Sequence, residues 1–204
     1  VMLSQQGLES VPDEAIRNQL VSWNNGDDDF TLWKANGRGV DLNRNQNIEW
    51  IPGTSETSPA SANYPGPYAL SEPESIALYE VMRQLRPVMQ LNYHATGFII
   101  FWYGEETGDK WEVVRQQAKT ISELTGYTLM PPDVSKTMGS IKLWFNTALG
   151  NPAFTVEVGR SSAPVPISEF PRIWEENKEM LPTLMQLIID QREGVPLTEH
   201  TIGR

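Results

Sequence analysis

"VMQLNYHATGFIIFWY" (Val88–Tyr103) holds two short apolar runs separated by the turn-prone pair Thr96-Gly97. Each run is too short for a helix and is rich in residues that suit a pleated surface, so "VMQLNYHA" and "FIIFWY" read as two strands, both apolar enough to be buried on two faces. The first run ends on His94, one of two histidines in the chain; the other is His200. A histidine at the mouth of a strand has three uses: to bind a metal, to shuttle a proton, or to hold its own hydrogen bonds.

Outward from this pair, helices alternate with strands. Ser71 to Arg86 reads as a helix with a Ser71/Glu74 capping box, a face made of Leu78, Val81, Met82 and Leu85, and a stop at Arg86-Pro87. Residues 12–23 form a shorter amphipathic helix that stops at "NNGDDD". "GVDLNRN" reads as a short strand running into a loop, and residues 51–70, rich in Pro, Gly and Ser, as a long surface loop of the kind more often functional than idle. "DKWEVVRQQAKTISELTG" is a helix with Gly126 as its stop. "IKLWFNTALG" is a short helix and "AFTVEV" a buried strand. A C-terminal helix over about Ile167 to Gln191 is expected to bury Trp174, Leu181, Leu184 and Ile188, with a kink at Pro182. The alternation predicts an α/β fold with a mixed, largely parallel central sheet flanked by helices.

The 204 residues suffice for one substantial core, and 39% hydrophobic residues with seven Trp make a globular composition. A net charge of −10 argues against nucleic acid or an anionic membrane as partner. With no cysteine there is no disulfide, no thiolate metal site and no cysteine nucleophile, and the compartment stays open. No run approaches the ~18 apolar residues of a membrane span. The first residue is Val1 rather than methionine. The chain is therefore expected to begin inside a longer precursor, with any targeting signal upstream.

Functional groups in such sheets gather where strands end. His94 stands at one such end and Glu157, closing "PAFTVEVG", at another; a carboxylate there is paired, raised in pKa, or useful. Asn43 and Arg44, side by side in "DLNRN", offer an amide and a guanidinium fork that suit a carboxylate. Each also has an ordinary structural reading: a satisfied histidine, a salt-bridged glutamate, a solvated turn. Their order and spacing must therefore decide.

Four segments in order, "WKANGRGVDLNRN", "GPYALSEPES", "LNYHATG" and "FTVEVGR", resemble the carboxypeptidase A-like zinc metallopeptidases. The resemblance is nearest to the bacterial branch of γ-D-glutamyl-L-diamino acid endopeptidases acting on cell-wall peptides, and it runs from about Gln5 to about Gln191. It implies that His94 is the zinc ligand borne on a central strand. It likewise makes Glu157 the catalytic glutamate working on the zinc-bound water, and Asn43 with Arg44 the pair holding the substrate carboxylate. A basic residue polarising the scissile carbonyl falls in "WKANGR", where either Lys34 or Arg38 fills the role.

The chain departs from the pattern in three places. The tyrosine that closes over substrate would fall near Ser135, where none stands; Tyr127 is the nearest, and its use would need a rearranged loop. "IKLW" lacks the more usual aspartate before the tryptophan. The family's other two zinc ligands come from an upstream His-x-x-Glu motif, and His200 has neither that spacing nor that position. Hydrolytic zinc takes three protein ligands and an open position. The resemblance therefore implies that Zn2+ would take two further ligands from before Val1. Residues 1–204 are then the C-terminal two-thirds of a single metallopeptidase catalytic domain, inactive alone and with unpaired sheet prone to self-association.

The expected partner is a peptide or muropeptide, cleaved next to a free carboxylate. The alternative is a truncated module that keeps the carboxylate clamp and binds cell-wall peptide without cutting it. The coding sequence upstream of Val1 discriminates between the two. A Ser-His-Asp hydrolase is a weaker third reading, since no G-x-S-x-G accompanies His94.

Overall fold

The computed structural model describes residues 7–52, 56–102, 109–131 and 138–193. His200, Ser135 and Tyr103 lie outside these described residues. The chain divides into two compact units, residues 1–90 with 136–151 and residues 91–135 with 152–204.

In the first unit, helix α1 (Glu14–Trp23) starts where the Asp13 carboxylate accepts from the backbone N–H of Ala15 at 2.8 Å and of Ile16 at 3.2 Å. That cap satisfies two amides that the first turn leaves without partners. Leu20 from α1 joins Phe30, Trp33 and Ala35 in a small core, with Leu8, Val11, Val21 and Trp23 around it. The expected strand at "GVDLNRN" is instead a 3₁₀ turn, Leu42–Arg44. The buried Asp41 side chain causes this: its Oδ1 accepts from Asn43 N at 3.0 Å and its Oδ2 from Asn63 N at 3.1 Å. Local bonds of this kind compete with a sheet ladder, and here they win.

Helix α2 (Pro73–Leu85) follows, with proline in its first turn, where no N–H is needed. The capping box does not form. Ser71 Oγ instead donates to Glu72 Oε1 at 2.8 Å and accepts from Asn45 Nδ2 at 3.0 Å, drawing both side chains inward. The expected apolar face is also not the covered one, since Leu78, Val81 and Leu85 are exposed. Ser75 is buried and Tyr79 packs on Trp144 at 4.8 Å between ring centroids, so a contact from far along the sequence sets which face turns in. A short helix, α4 (Ile141–Trp144), is capped by Ser140 Oγ and continues as one π turn, Phe145–Leu149, ending at Gly150.

The second unit carries the sheet. Its strands are β1 (Gln90–Ala95), β2 (Ile99–Phe101), β3 (Thr128–Leu129) and β4 (Ala153–Val158), in the order β1-β4-β2-β3. β2 runs parallel to β3 and antiparallel to β4, with Ile99 opposite Glu157 and Ile100 opposite Val156. Side-chain bonds from Asn92 to Phe154 O (3.2 Å) and from Thr96 to Gly159 O (2.8 Å) advance together along both chains, so β1 lies parallel to β4. The sheet is therefore mixed and largely parallel. Phe154, Val156 and Ile100 are fully buried, each such side chain contributing about 1.5–3 kcal/mol. β1 is less buried than its composition suggests, with Tyr93 exposed, because it ends the strand order among the described residues.

Helix α3 (Asp109–Thr125) turns Val114, Ala118 and Ile121 inward at helical spacing, and Gly126 ends it. It packs on α5 (Phe170–Asn177) and α6 (Met180–Glu193). The expected single C-terminal helix is thus two. Pro182 cannot donate to the carbonyl of Lys178, so the chain breaks at residues 178–179 and proline enters the first turn of α6. The break shifts the buried stripe to Met180, Leu184 and Leu187, leaving Trp174 and Leu181 exposed.

Candidate active site

In the second unit, His94 and Glu157 sit near the ends of adjacent parallel strands. The bonds from Asn92 to Phe154 O and from Thr96 to Gly159 O bracket the two residues and place them at a similar level. Both are half-buried. The strand ends are stitched together around them: Phe98 N donates to Glu157 O at 2.9 Å, and Thr96 Oγ1 reaches Ser161 O at 2.7 Å. A Cβ on Gly97 would lie 3.6 Å from Glu157 Cβ, so the turn between β1 and β2 passes directly beside the carboxylate's stem.

The loop after Glu157 is held down by charge. Glu169 accepts from Arg160 N at 3.0 Å, from Ser161 N at 3.1 Å and from the Ser161 hydroxyl, and it pairs with Arg172. The Ser161 hydroxyl, ahead of the Arg160 N–H, holds the Glu169 carboxyl down to about 2. The Arg160 guanidinium lies 4.2 Å over the Phe98 ring. Tyr127 is almost fully buried; its hydroxyl donates to Glu176 at 3.0 Å and accepts from Asn177 at 3.0 Å. Burial pushes it up to about 12. A tyrosine so committed braces α5, and this position does not suit one that closes over substrate.

The other candidates lie in the first unit. Lys34 Nζ pairs with the buried Asp41 at 3.2 Å, and Arg38 Nε lies 3.6 Å from Glu72, which is fully buried. Both basic residues are thus counterions of buried carboxylates. Asp41 also shapes the turn that carries Asn43, so one carboxylate fixes the Lys34 ammonium and the start of the Asn43-Arg44 pair. Arg44 is half-buried, and its guanidinium donates to Asn43 O at 3.0 Å. It makes no ion pair among the described residues.

Sequence reading missed the residues that hold this turn. Asn45 is fully buried, and its Nδ2 donates to Pro65 O (2.8 Å), Tyr68 O (3.1 Å) and Ser71 Oγ. The long 51–70 loop is therefore pinned beside Arg44 over its described C-terminal part. The only signal in the sequence was a second asparagine directly after the arginine.

Zinc of the hydrolytic kind would need three protein ligands. Among the described residues no group of three or more His, Asp or Glu side chains is placed to hold a metal ion. His94 by itself does not fit such a site.

The second unit is thus a mixed, largely parallel sheet with helices that carries a histidine and a glutamate on adjoining strands. Residues 14–180 match the family described as Peptidase_M14, zinc carboxypeptidase, and the chain belongs to that family. It is 33% identical over 165 residues to gamma-D-glutamyl-L-diamino acid endopeptidase 1 of Lysinibacillus sphaericus, covering 80% of this chain and 41% of that protein. The chain thus spans less than half the length of that relative. Among solved structures, the murein-tripeptide amidase MpaA of Escherichia coli O157 superposes with a TM-score of 0.54 at 22% identity, over 74% of this chain and 60% of that one. A carboxypeptidase A from Helicoverpa armigera gives 0.55 at 22% identity, over 72% and 41%. These two likenesses show the shared fold.

Proposed function

We propose that this chain is the C-terminal part of a metallopeptidase catalytic domain that hydrolyses a peptide bond next to a free carboxylate, in cell-wall peptides containing a diamino acid such as diaminopimelate. The single observation that carries the reading is Arg44: a half-buried guanidinium, on a turn locked from both sides, with no carboxylate partner among the described residues. A cation with no ion pair among the described residues suits a substrate anion. The family match and the endopeptidase relative supply the reaction class and the choice of peptide.

In this reading Arg44 and Asn43 hold the substrate carboxylate and fix the register of the peptide. Glu157 accepts a proton from the attacking water and passes it to the leaving nitrogen. Of the two basic candidates we favour Lys34 for the developing oxyanion, since Asp41 pairs with it and also accepts from the turn that carries Asn43. His94 is a metal ligand, and the ligands that the described residues lack come from outside them.

The test is hydrolysis of a γ-D-glutamyl-diaminopimelate peptide by the catalytically complete protein, with the diaminopimelate carboxyls free or amidated. Cleavage of the acid well ahead of the amide supports the reading. Equal cleavage of both removes the carboxylate clamp. Tight binding without cleavage favours the non-catalytic module.

A further inference from the structure

We propose that Gly139 is a positioning residue for carboxylate recognition: its lack of a side chain lets the Arg44 turn sit where it does. The inference rests on the Arg44 clamp proposed above. A Cβ built on Gly139 would fall 2.1 Å from Arg44 O, 2.6 Å from its carbonyl carbon and 3.1 Å from its Cα. All three are backbone atoms, so no side-chain rotation relieves the collision. Two hydrogen bonds then fix the two segments face to face: Gln46 N donates to Gly139 O at 2.8 Å, and Gly139 N donates to Ile48 O at 2.9 Å. The φ of +68° at Gly139 adds a second reason for glycine, but a separable one.

Arg44 depends on this contact more than an ion-paired arginine would. Among the described residues its guanidinium bonds to the carbonyl of the adjacent Asn43, so the aim of the fork follows the backbone. An alanine at 139 must push the Arg44 peptide away, and the fork moves with it. Small displacements of a positioning group are costly to recognition, up to about 10²-fold for ~1 Å. The segment "MGSIKLW" thereby gains a role: it is the wall against which the carboxylate clamp is set.

Gly26 supplies the control. Its φ is +83°, yet nothing lies within 4 Å of a Cβ there, so Gly26→Ala carries the backbone strain without the collision. The experiment measures binding of a γ-D-glutamyl-diaminopimelate dipeptide, acid and amide forms, to the full chain by tryptophan fluorescence. The readout is the preference for acid over amide. Gly139→Ala is expected to lower that preference about tenfold, while Gly26→Ala leaves it unchanged. Arg44→Ala is expected to abolish it.

If the wild-type chain shows no preference, or Arg44→Ala keeps it, the clamp reading fails and this inference falls with it. If Arg44→Ala abolishes the preference but folded Gly139→Ala retains it, the inference alone is overturned, whatever the loss in thermal stability. Should Gly139→Ala not fold, Ser140→Ala decides, since it removes the hydroxyl that caps Leu143 N at 3.2 Å and loosens the same wall. A partial loss of preference in that variant supports the inference, and full preference overturns it.

Discussion

At Glu157, glutamine keeps the shape of the side chain and removes its affinity for a proton. If Glu157 is the proton acceptor, Glu157→Gln in the catalytically complete protein retains its metal and loses about 10²–10⁴-fold in kcat. Metal content and kcat are measured on the same preparation, and loss of metal would show instead that Glu157 is a ligand. Arg44 makes a different kind of contribution. Arg44→Ala is expected to cost about 2–3 kcal/mol in kcat/KM for a peptide with a free carboxylate, the size of a charge-assisted hydrogen-bond pair, and little for its amide. An equal loss on both substrates would mean that the arginine serves the fold rather than recognition. His94 and Glu157 were legible as strand-end residues because short apolar runs lead into them. The support of Arg44 was not, because Asn45 and Gly139 act through a buried amide and a bare Cα, and neither leaves a pattern along the chain.

The elements show the same division. β1, β2, β4 and α3 follow from local apolar spacing, and the Gly126 stop from local chemistry, whereas the two-residue β3 and the turn at Leu42–Arg44 do not. The inward face of α2 depends on Tyr79 meeting Trp144, a partner from a distant segment that no window over residues 71–86 contains. Pro182 announced an interruption, but its effect is a full break whose phase then decides that Leu184 and Leu187 are buried. The loop between β4 and α5 offers a test of its own. Glu169, held to about 2 against an ordinary 4.5, favours the folded state when ionised. That stabilisation is fully present above pH 4.5 and is lost as pH falls from 4.5 through about 2. Ser161→Ala, which removes the leading cause of the shift, should make the denaturation midpoint less sensitive to pH across that window. Urea melts at pH 6 and pH 3 check this, and an unchanged pH dependence would show that the hydroxyl does not hold the carboxylate.

For the molecule as a whole, the proposed carboxylate clamp and proton acceptor lie within the described residues, and no group of three or more His, Asp or Glu side chains placed to hold a metal ion is found among them. The chain belongs to a zinc carboxypeptidase family, and it spans 41% of its endopeptidase relative. No helix among the described residues is long and apolar enough to cross a membrane. β1 ends the strand order among them, an edge able to pair with another copy. Metal stoichiometry is the most direct test of the central claim that these residues carry the carboxylate clamp and the proton acceptor without a complete metal site. Residues 1–204, alone and with a His-x-x-Glu segment joined ahead of Val1, are dialysed against buffered zinc, and bound zinc per chain is measured. Residues 1–204 are expected to hold well under one zinc per chain, and the joined chain close to one. One tightly held zinc on residues 1–204 alone would contradict it.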